Sequence, residues 1–164
     1  MFLYLFRHGE SADNRAHLFS GWRDIALTEK GIIDAQEIAE WLKAKPIDFF
    51  FTPELKRNEQ TVAEVIRYHP KARIVKNNRI RERCYGELQG TPHLDLMKKD
   101  LGLYAKYHRS YDTPPPGGES IKMVEERVRP FYKELVERMV KEKANAAVCA
   151  GNNAMRVLRR YLEN

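Results

Sequence analysis

Six apolar residues, Met1–Phe6, run without a break into Arg7-His8-Gly9-Glu10. An apolar run with no polar alternation needs cover on both faces, which a buried strand of a parallel sheet receives. Its polar continuation emerges at the strand's carboxyl end, the edge of an open α/β sheet where ligands bind. The following segments fit the same plan. Thr28 caps a helix through Lys43, with Ile32, Ile33, Ala35, Ile38, Ala39 and Leu42 at helical spacing and Pro46 as its stop. Asp48–Thr52 reads as a second apolar strand, Pro53 opens a helix to about Tyr68, and Arg73–Val75 is a third, short strand. The order is β-α-β-α-β.

Residues 76–93 form a polar connection with Gly86 and Gly90 as turn points, and Leu94–Tyr107 shows weak helical periodicity. Thr113-Pro-Pro-Pro-Gly-Gly118 is a rigid loop, because its prolines fix φ and remove donors. A long helix starts at Glu119 or Ser120 and runs to about Lys143, with Val124, Val128, Phe131, Leu135 and Met139 as its apolar stripe and a kink expected at Pro130. Ala146–Ala150 is small and apolar enough for a central strand, and Asn153–Leu162 is the last helix. The expectation is one α/β domain over residues 1–164, with a mostly parallel central sheet flanked by helices on both faces.

Charge and cysteine usage narrow the function. Lys and Arg number 29 against 23 Asp and Glu, and the resulting +6 favours anionic partners. Arg156, Arg159 and Arg160 cluster, but on one solvated helix face with no stacking platform, so nucleic acid is not the expected partner. Lys133–Lys143 is interleaved with Glu134, Glu137 and Glu142 at intrahelical pairing distance, which makes it a solvent face and not a membrane-binding one. Met1–Phe6 is too short for a signal core or a membrane span. Cys84 and Cys149 have no CxxC spacing, so a reducing cytoplasm is the expected location. His8, His17, His69, His93 and His108 show no metal-ligand pairing, and no metal is expected.

His8 is the candidate nucleophile. It follows a buried strand, Gly9 permits a turn there, and Arg7 places a permanent planar cation alongside. An imidazole beside arginine is poorly placed to keep an extra proton, and its free nitrogen can attack a phosphoryl group whose oxygens a guanidinium holds. Arg57 follows the second strand and belongs on the same sheet edge as Arg7 if the strands are parallel. Glu82, in a glycine-punctuated run, can serve as general acid. The alternative for both is an ordinary surface or ion-pair role.

Five stretches carry a family resemblance: Arg7-His8-Gly9-Glu10; Ser20-Gly21-Trp22-x-Asp24-x-x-Leu27-Thr28-x-x-Gly31; Leu55-Lys-Arg57-x-x-Gln60-Thr61; Glu82-Arg-x-Tyr85-Gly86-x-Leu88-Gln89-Gly90; and Pro114-Pro-Pro-Gly-Gly-Glu119-Ser120. In this order they resemble the histidine phosphatase superfamily, and within it the cofactor-dependent phosphoglycerate mutases. The resemblance implies that His8 is the phosphorylated nucleophile, Arg7 and Arg57 clamp the phosphoryl group, and Glu82 protonates the leaving oxygen. It also implies that Asn14, Ser20 and Gly21 line the phosphate or substrate pocket, and that Arg83 and Tyr85 hold the substrate carboxylate side. The segment Arg109–Pro116 resembles the cover that mutases place over a three-carbon acid, with His93, His108, Arg109 and Asn153 completing the substrate set. The implied reaction interconverts 3-phosphoglycerate and 2-phosphoglycerate, with 2,3-bisphosphoglycerate as phosphoryl donor and a small phosphorylated metabolite as partner. The alternatives are a phosphomonoester phosphatase and a weakly active or inactive phospho-ligand-binding homologue. A homo-oligomer is left open.

Three features depart from the mutase pattern. Mutases carry a second His after the last central strand, where this chain reads Val148-Cys-Ala-Gly-Asn-Asn-Ala-Met-Arg156; Gly151 takes the place without a gap, or Ala150 after a one-residue shift. Loss of one such donor typically costs ~10²–10³ in rate. His93 stands where mutases place a Lys and His108 where they place the first of two Arg, exchanging permanent cations for groups that ordinarily titrate near ~6.5. The chain also stops at Asn164, soon after the final helix begins, and so reads as C-terminally short. A divergent enzyme, an inactivated one and an incomplete chain remain three readings of these departures.

Overall fold

The computed structural model describes residues 1–163, apart from the side chain of Arg109. Four strands, β1 (Leu3–Arg7), β2 (Phe49–Thr52), β3 (Arg73–Lys76) and β4 (Ala146–Ala150), form a sheet in the order β1-β4-β2-β3. Each neighbouring pair is parallel, so all four carboxyl ends share one edge. The helices are α1 (Ala12–Arg15), α2 (Glu29–Leu42), α3 (Lys56–Ile66), α4 (His93–Lys99), α5 (Leu101–Arg109), α6 (Ile121–Glu142) and α7 (Asn152–Glu163).

Side-chain alternation splits the core into two layers. Phe49, Phe51, Ala146, Val148 and Ala150 face Val124, Val128, Phe131 and Leu135 of α6 and Ala154 and Leu158 of α7. Phe50, Ala147 and Cys149 face Ala39 and Leu42 of α2 and Val62 and Val65 of α3, together with Phe6. The sheet is therefore covered on both faces, as the sequence implies. The small residues of β4 are all buried, which lets helices approach the sheet centre from either side.

The sequence reading needs three corrections. β1 is an edge strand, begins at Leu3 and is only half-buried until Phe6, while Met1 and Phe2 are exposed. An apolar run signals burial without distinguishing a middle strand from an edge one. The weak periodicity of Leu94–Tyr107 resolves into α4 and α5, because Asp100 leaves helical geometry (φ −161°, ψ 101°) and its carboxylate accepts the backbone N–H of Leu103. The short helix α1, absent from the sequence reading, is held by a reciprocal cap in which Ser11 and Asn14 each accept the other's backbone N–H. Helix α6 runs through Pro130 from residue 121 to residue 142.

Two glycines bring β1's exit against α2. A Cβ on Gly9 would stand 2.1 Å from the carbonyl oxygen of Gly31, and one on Gly31 would stand 2.0 Å from that of Glu10. Thr28 fixes the same junction: its N–H donates to the Glu10 carbonyl and its hydroxyl to the Glu10 carboxylate. A helical Gly→Ala change ordinarily gains ~0.5–1 kcal/mol. Gly31→Ala should instead lose about 1–3 kcal/mol, because only backbone can move to admit the methyl. A lower urea midpoint with unchanged slope is the expected result, and an equal or higher midpoint contradicts this packing.

Candidate active site

His8 leaves β1 at the carboxyl edge and is buried, 7% exposed. Its Nδ1 lies 2.7 Å from the carbonyl oxygen of Gly9, an arrangement in which Nδ1 must donate. The proton of a neutral ring is then committed to Nδ1, and Nε2 keeps its lone pair. Burial, reinforced by the Arg57 charge and to a lesser degree by Arg7, lowers the imidazole to about 3, against the opposing pull of the Gly9 carbonyl. His8 is thus neutral and oriented at physiological pH. The turn itself is held from α3: the Gly9 N–H donates to Thr61 Oγ1 at 3.2 Å, and that hydroxyl donates to the Arg57 carbonyl at 2.7 Å.

Arg57 is almost fully buried, 1% exposed, and its guanidinium donates to the carbonyls of Arg23 at 2.8 Å and Gly21 at 2.7 Å. Gly21 presents that carbonyl from a left-handed turn, φ 51°, packed against Gln89. Burial lowers Arg57 from its ordinary value, while Glu82 and Asp13 oppose that shift. Arg57 Nε and the nearby sequence-predicted Ser20 Oγ are buried without a hydrogen-bond partner. Arg7 remains exposed and shares a cavity wall with His8.

Glu82 is buried and held on every side. Its Oε1 accepts the N–H of Arg83 at 2.7 Å, the N–H of Asn153 at 3.1 Å and the side-chain amide of Asn153 at 2.8 Å. Three donors on one oxygen leave Oε2 as the atom available for proton exchange. Arg83 is fully buried, rests over the Tyr85 ring at 4.5 Å and donates through Nη2 to the Tyr107 carbonyl, while its Nε and Nη1 have no partner. Buried donors left open by the protein are what an anion would satisfy.

Two cavities open among these elements, and Arg57 and Glu82 line neither. The first, about 450 Å³, is lined by Arg7, His8, Gly9, Glu10, Asn14, His17, Leu18, Asp34 and His93. The second, about 490 Å³, is lined by Tyr85, His108, Ile121, Asn152, Asn153, Arg156, Val157 and Arg160. The rings of His93 and His108, one in each lining, lie edge to face at 5.3 Å. The sequence-predicted substrate residues are thus shared between the cavities, except Ser20, Gly21 and Arg83, which line neither. The Arg109 side chain lies outside the described residues.

Sequence reasoning missed several contributors. His17, Asp34 and Glu10 enter the first cavity, and Arg156 the second. Thr61 lies in the third of the family stretches, and its bond to the Gly9 N–H becomes visible only with α3 in place against the sheet. Gly151, and not Ala150, follows the last paired residue of β4, since Ala150 pairs with Arg7. No group of three or more His, Cys, Asp or Glu able to hold a metal ion occurs among the described residues.

A neutral imidazole beside arginines at the carboxyl edge of a parallel sheet can accept a phosphoryl group. A model of the histidine phosphatase superfamily (branch 1) matches residues 3–164. A 2,3-bisphosphoglycerate-dependent phosphoglycerate mutase of Parvibaculum lavamentivorans is 39% identical over 163 residues, which are 95% of this chain and 77% of the relative. The phosphoglycerate mutase of Schizosaccharomyces pombe is 37% identical, covering 98% of this chain and 79% of its own. Among solved structures, the alpha-ribazole phosphatase from Shigella flexneri superposes with a TM-score of 0.86 at 26% identity, over 99% of this chain and 79% of that one. The chain belongs to the histidine phosphatase superfamily.

The buried neutral His8 has a consequence for stability. Unfolded, the ring takes a proton near pH ~6.5; folded, it does so only near 3. Between those values the unfolded state binds more protons, so stability rises with pH across that window and falls on acidification. His8→Gln should flatten the pH dependence of the urea unfolding free energy between pH 6.5 and pH 4 relative to the parent. An unchanged slope would show that His8 is not held neutral.

Proposed function

We propose that the chain transfers phosphoryl groups through a phosphohistidine at His8 and that its reaction is the exchange of 3-phosphoglycerate and 2-phosphoglycerate. The observation that carries this reading is the fixed His8 ring, with Nδ1 donating to Gly9 and Nε2 free beside arginines. Nε2 attacks phosphorus, the N–P bond forms as the ester P–O bond breaks, and Glu82 Oε2 gives the departing oxygen its proton. The second hydroxyl then attacks the phosphohistidine and returns a proton to Glu82. Arg7 and Arg57 meet the charge on the transferring group. The relatives named as mutases support this choice of substrate.

A bisphosphorylated three-carbon acid fits as phosphoryl donor. Ser20 Oγ, Arg57 Nε and Arg83 Nε and Nη1 are buried donors without protein partners, which the oxygens of a ligand with two phosphates and a carboxylate would satisfy. Asn14, Tyr85, Asn153 and His93 would complete its surroundings, and its chemistry is to supply the first phosphoryl group to His8. The partner is a small anionic metabolite, consumed in the cytoplasm.

One observation favours hydrolysis as the second reading. His93, packed on Phe19 at 3.7 Å between ring centroids, is lowered by burial and is therefore neutral at pH 7. A neutral ring grips a carboxylate less than a permanent cation does, and water can then take the phosphoryl group from His8.

Phosphorus NMR of the protein with 3-phosphoglycerate and a trace of 2,3-bisphosphoglycerate separates the two. Growth of 2-phosphoglycerate is expected; inorganic phosphate alone replaces the mutase reading by the phosphatase one, and no change overturns both. His8→Ala should abolish turnover. Glu82→Gln should slow phosphorylation of His8 by phosphoglycerate by ~10²–10⁴, and an unchanged single-turnover rate removes Glu82 from the acid role.

A further inference from the structure

One buried carboxylate, Glu125 of α6, has no part in the transfer itself. It is 7% exposed, and donors from three parts of the chain converge on it. Its Oε2 accepts the Tyr111 hydroxyl at 2.7 Å and Arg160 Nη1 at 3.2 Å, and its Oε1 accepts the Tyr161 hydroxyl at 3.1 Å and stands 3.5 Å from Arg129 Nη2. Tyr111 belongs to the connection between α5 and α6, Arg160 and Tyr161 to α7, and Arg129 to α6 itself. These hydrogen bonds, that of Tyr111 foremost, hold the Glu125 carboxyl below its usual range against the opposing effect of burial. Glu125 is therefore a charged acceptor, and bonds to charged acceptors are the strong ones.

The connection that Tyr111 anchors is the one the family resemblance makes a cover. Near its start Arg83 donates to the Tyr107 carbonyl, and near its end the Pro116 carbonyl accepts the Glu87 N–H at 3.0 Å. Between these ties Tyr111 accepts the Lys122 N–H on its carbonyl at 3.0 Å and reaches Glu125 with its hydroxyl. His108 and Ile121, which flank the connection, line the second cavity, and the His108 ring meets His93 of the His8 cavity. Displacing the connection would open the partition between the two cavities.

From this geometry we propose that Glu125 is a positioning residue: by clasping Tyr111 to α6 and α7 it holds the cover in place and keeps water from the phosphohistidine of His8. Water that enters attacks phosphorus. Its P–O bond forms as the N–P bond breaks, the electron pair returns to Nε2, the proton passes to Glu82 Oε2 and inorganic phosphate leaves. The clasp thus sets how the phosphoryl group divides between water and the returning hydroxyl.

The proposal rests on phosphoryl transfer through His8, and its test keeps the two apart. Parent, Tyr111→Phe, Glu125→Ala, Glu125→Gln and the Tyr111→Phe/Glu125→Ala double are given 3-phosphoglycerate with a trace of 2,3-bisphosphoglycerate. Phosphorus NMR reads the ratio of inorganic phosphate to 2-phosphoglycerate. Tyr111→Phe and Glu125→Ala should each raise that ratio about tenfold, the effect of one lost hydrogen bond to a charged group. Glu125→Gln, which keeps an acceptor oxygen, should fall between the parent and Glu125→Ala, and the double should match Glu125→Ala. A folding defect removes active molecules from both products equally and leaves the ratio alone. A parental ratio in Tyr111→Phe and Glu125→Ala, or effects that multiply in the double, overturns the clasp.

If the parent yields inorganic phosphate alone, the lifetime of the phosphohistidine replaces the ratio. It should shorten about tenfold in both single variants, and an unchanged lifetime overturns the clasp. If His8 takes no phosphoryl group, the phosphoryl-transfer reading fails by itself and amide exchange decides. The Lys122 N–H, bonded to the Tyr111 carbonyl, should then exchange faster in Tyr111→Phe while the β4 amides keep parental rates. Unmoved exchange at Lys122 overturns the clasp.

Discussion

Everything at this site depends on keeping one imidazole neutral in a mostly buried position on a cavity wall. The carbonyl of Gly9 takes the Nδ1 proton at 2.7 Å, and burial beside Arg57 denies the ring a second one. The same two facts fix the tautomer and the ring direction and leave Nε2 its lone pair. They also explain the packing beneath: Gly9 can offer its carbonyl only because it and Gly31 both lack a side chain, and because Thr61 holds its N–H from α3. The ring at this strand end is set by a strand, a helix start and a second helix together.

The buried cations follow from that arrangement. Arg57 and Arg83 are out of solvent and are held by backbone carbonyls, of Gly21 and Arg23 in one case and Tyr107 in the other. Neutral carbonyls satisfy guanidinium donors without cancelling their charge, so the site keeps a positive potential for an incoming phosphate. A direct carboxylate pair would quench it. The exposed ion pairs of the surface, such as Lys30–Asp34 and Arg159–Glu163, are of the kind that contributes little.

Much of this was legible in the chain. The alternating strands and helices follow from apolar periodicity, and His8, Arg57 and Glu82 stand where the strand ends and a glycine-marked run put them. What the sequence hid is physical in each case. The Met1–Phe6 run marks a strand but not its place in the sheet, so neither the edge position of β1 nor the exposure of Met1 and Phe2 could be read. Asp100 splits a weak helix because its carboxylate competes for the Leu103 N–H, a local bond that periodicity ignores. Gly151 announces a missing side chain, yet only the packed structure shows Glu82 filling the space. The resemblance implies a substrate role for Arg83, but its full burial over the Tyr85 ring and its bond to the Tyr107 carbonyl follow only from the packed structure.

A neutral His8 whose Nδ1 is held by the Gly9 carbonyl has only Nε2 to offer, and the position of the phosphoryl group reads this directly. The protein is exposed briefly to a phosphoryl donor, quenched in base, and examined by intact mass and by phosphorus NMR of the denatured chain. A single acid-labile phosphoryl group is expected, on Nε2 of His8 and absent from His8→Ala. Phosphorylation at Nδ1, at another residue, or not at all would contradict it.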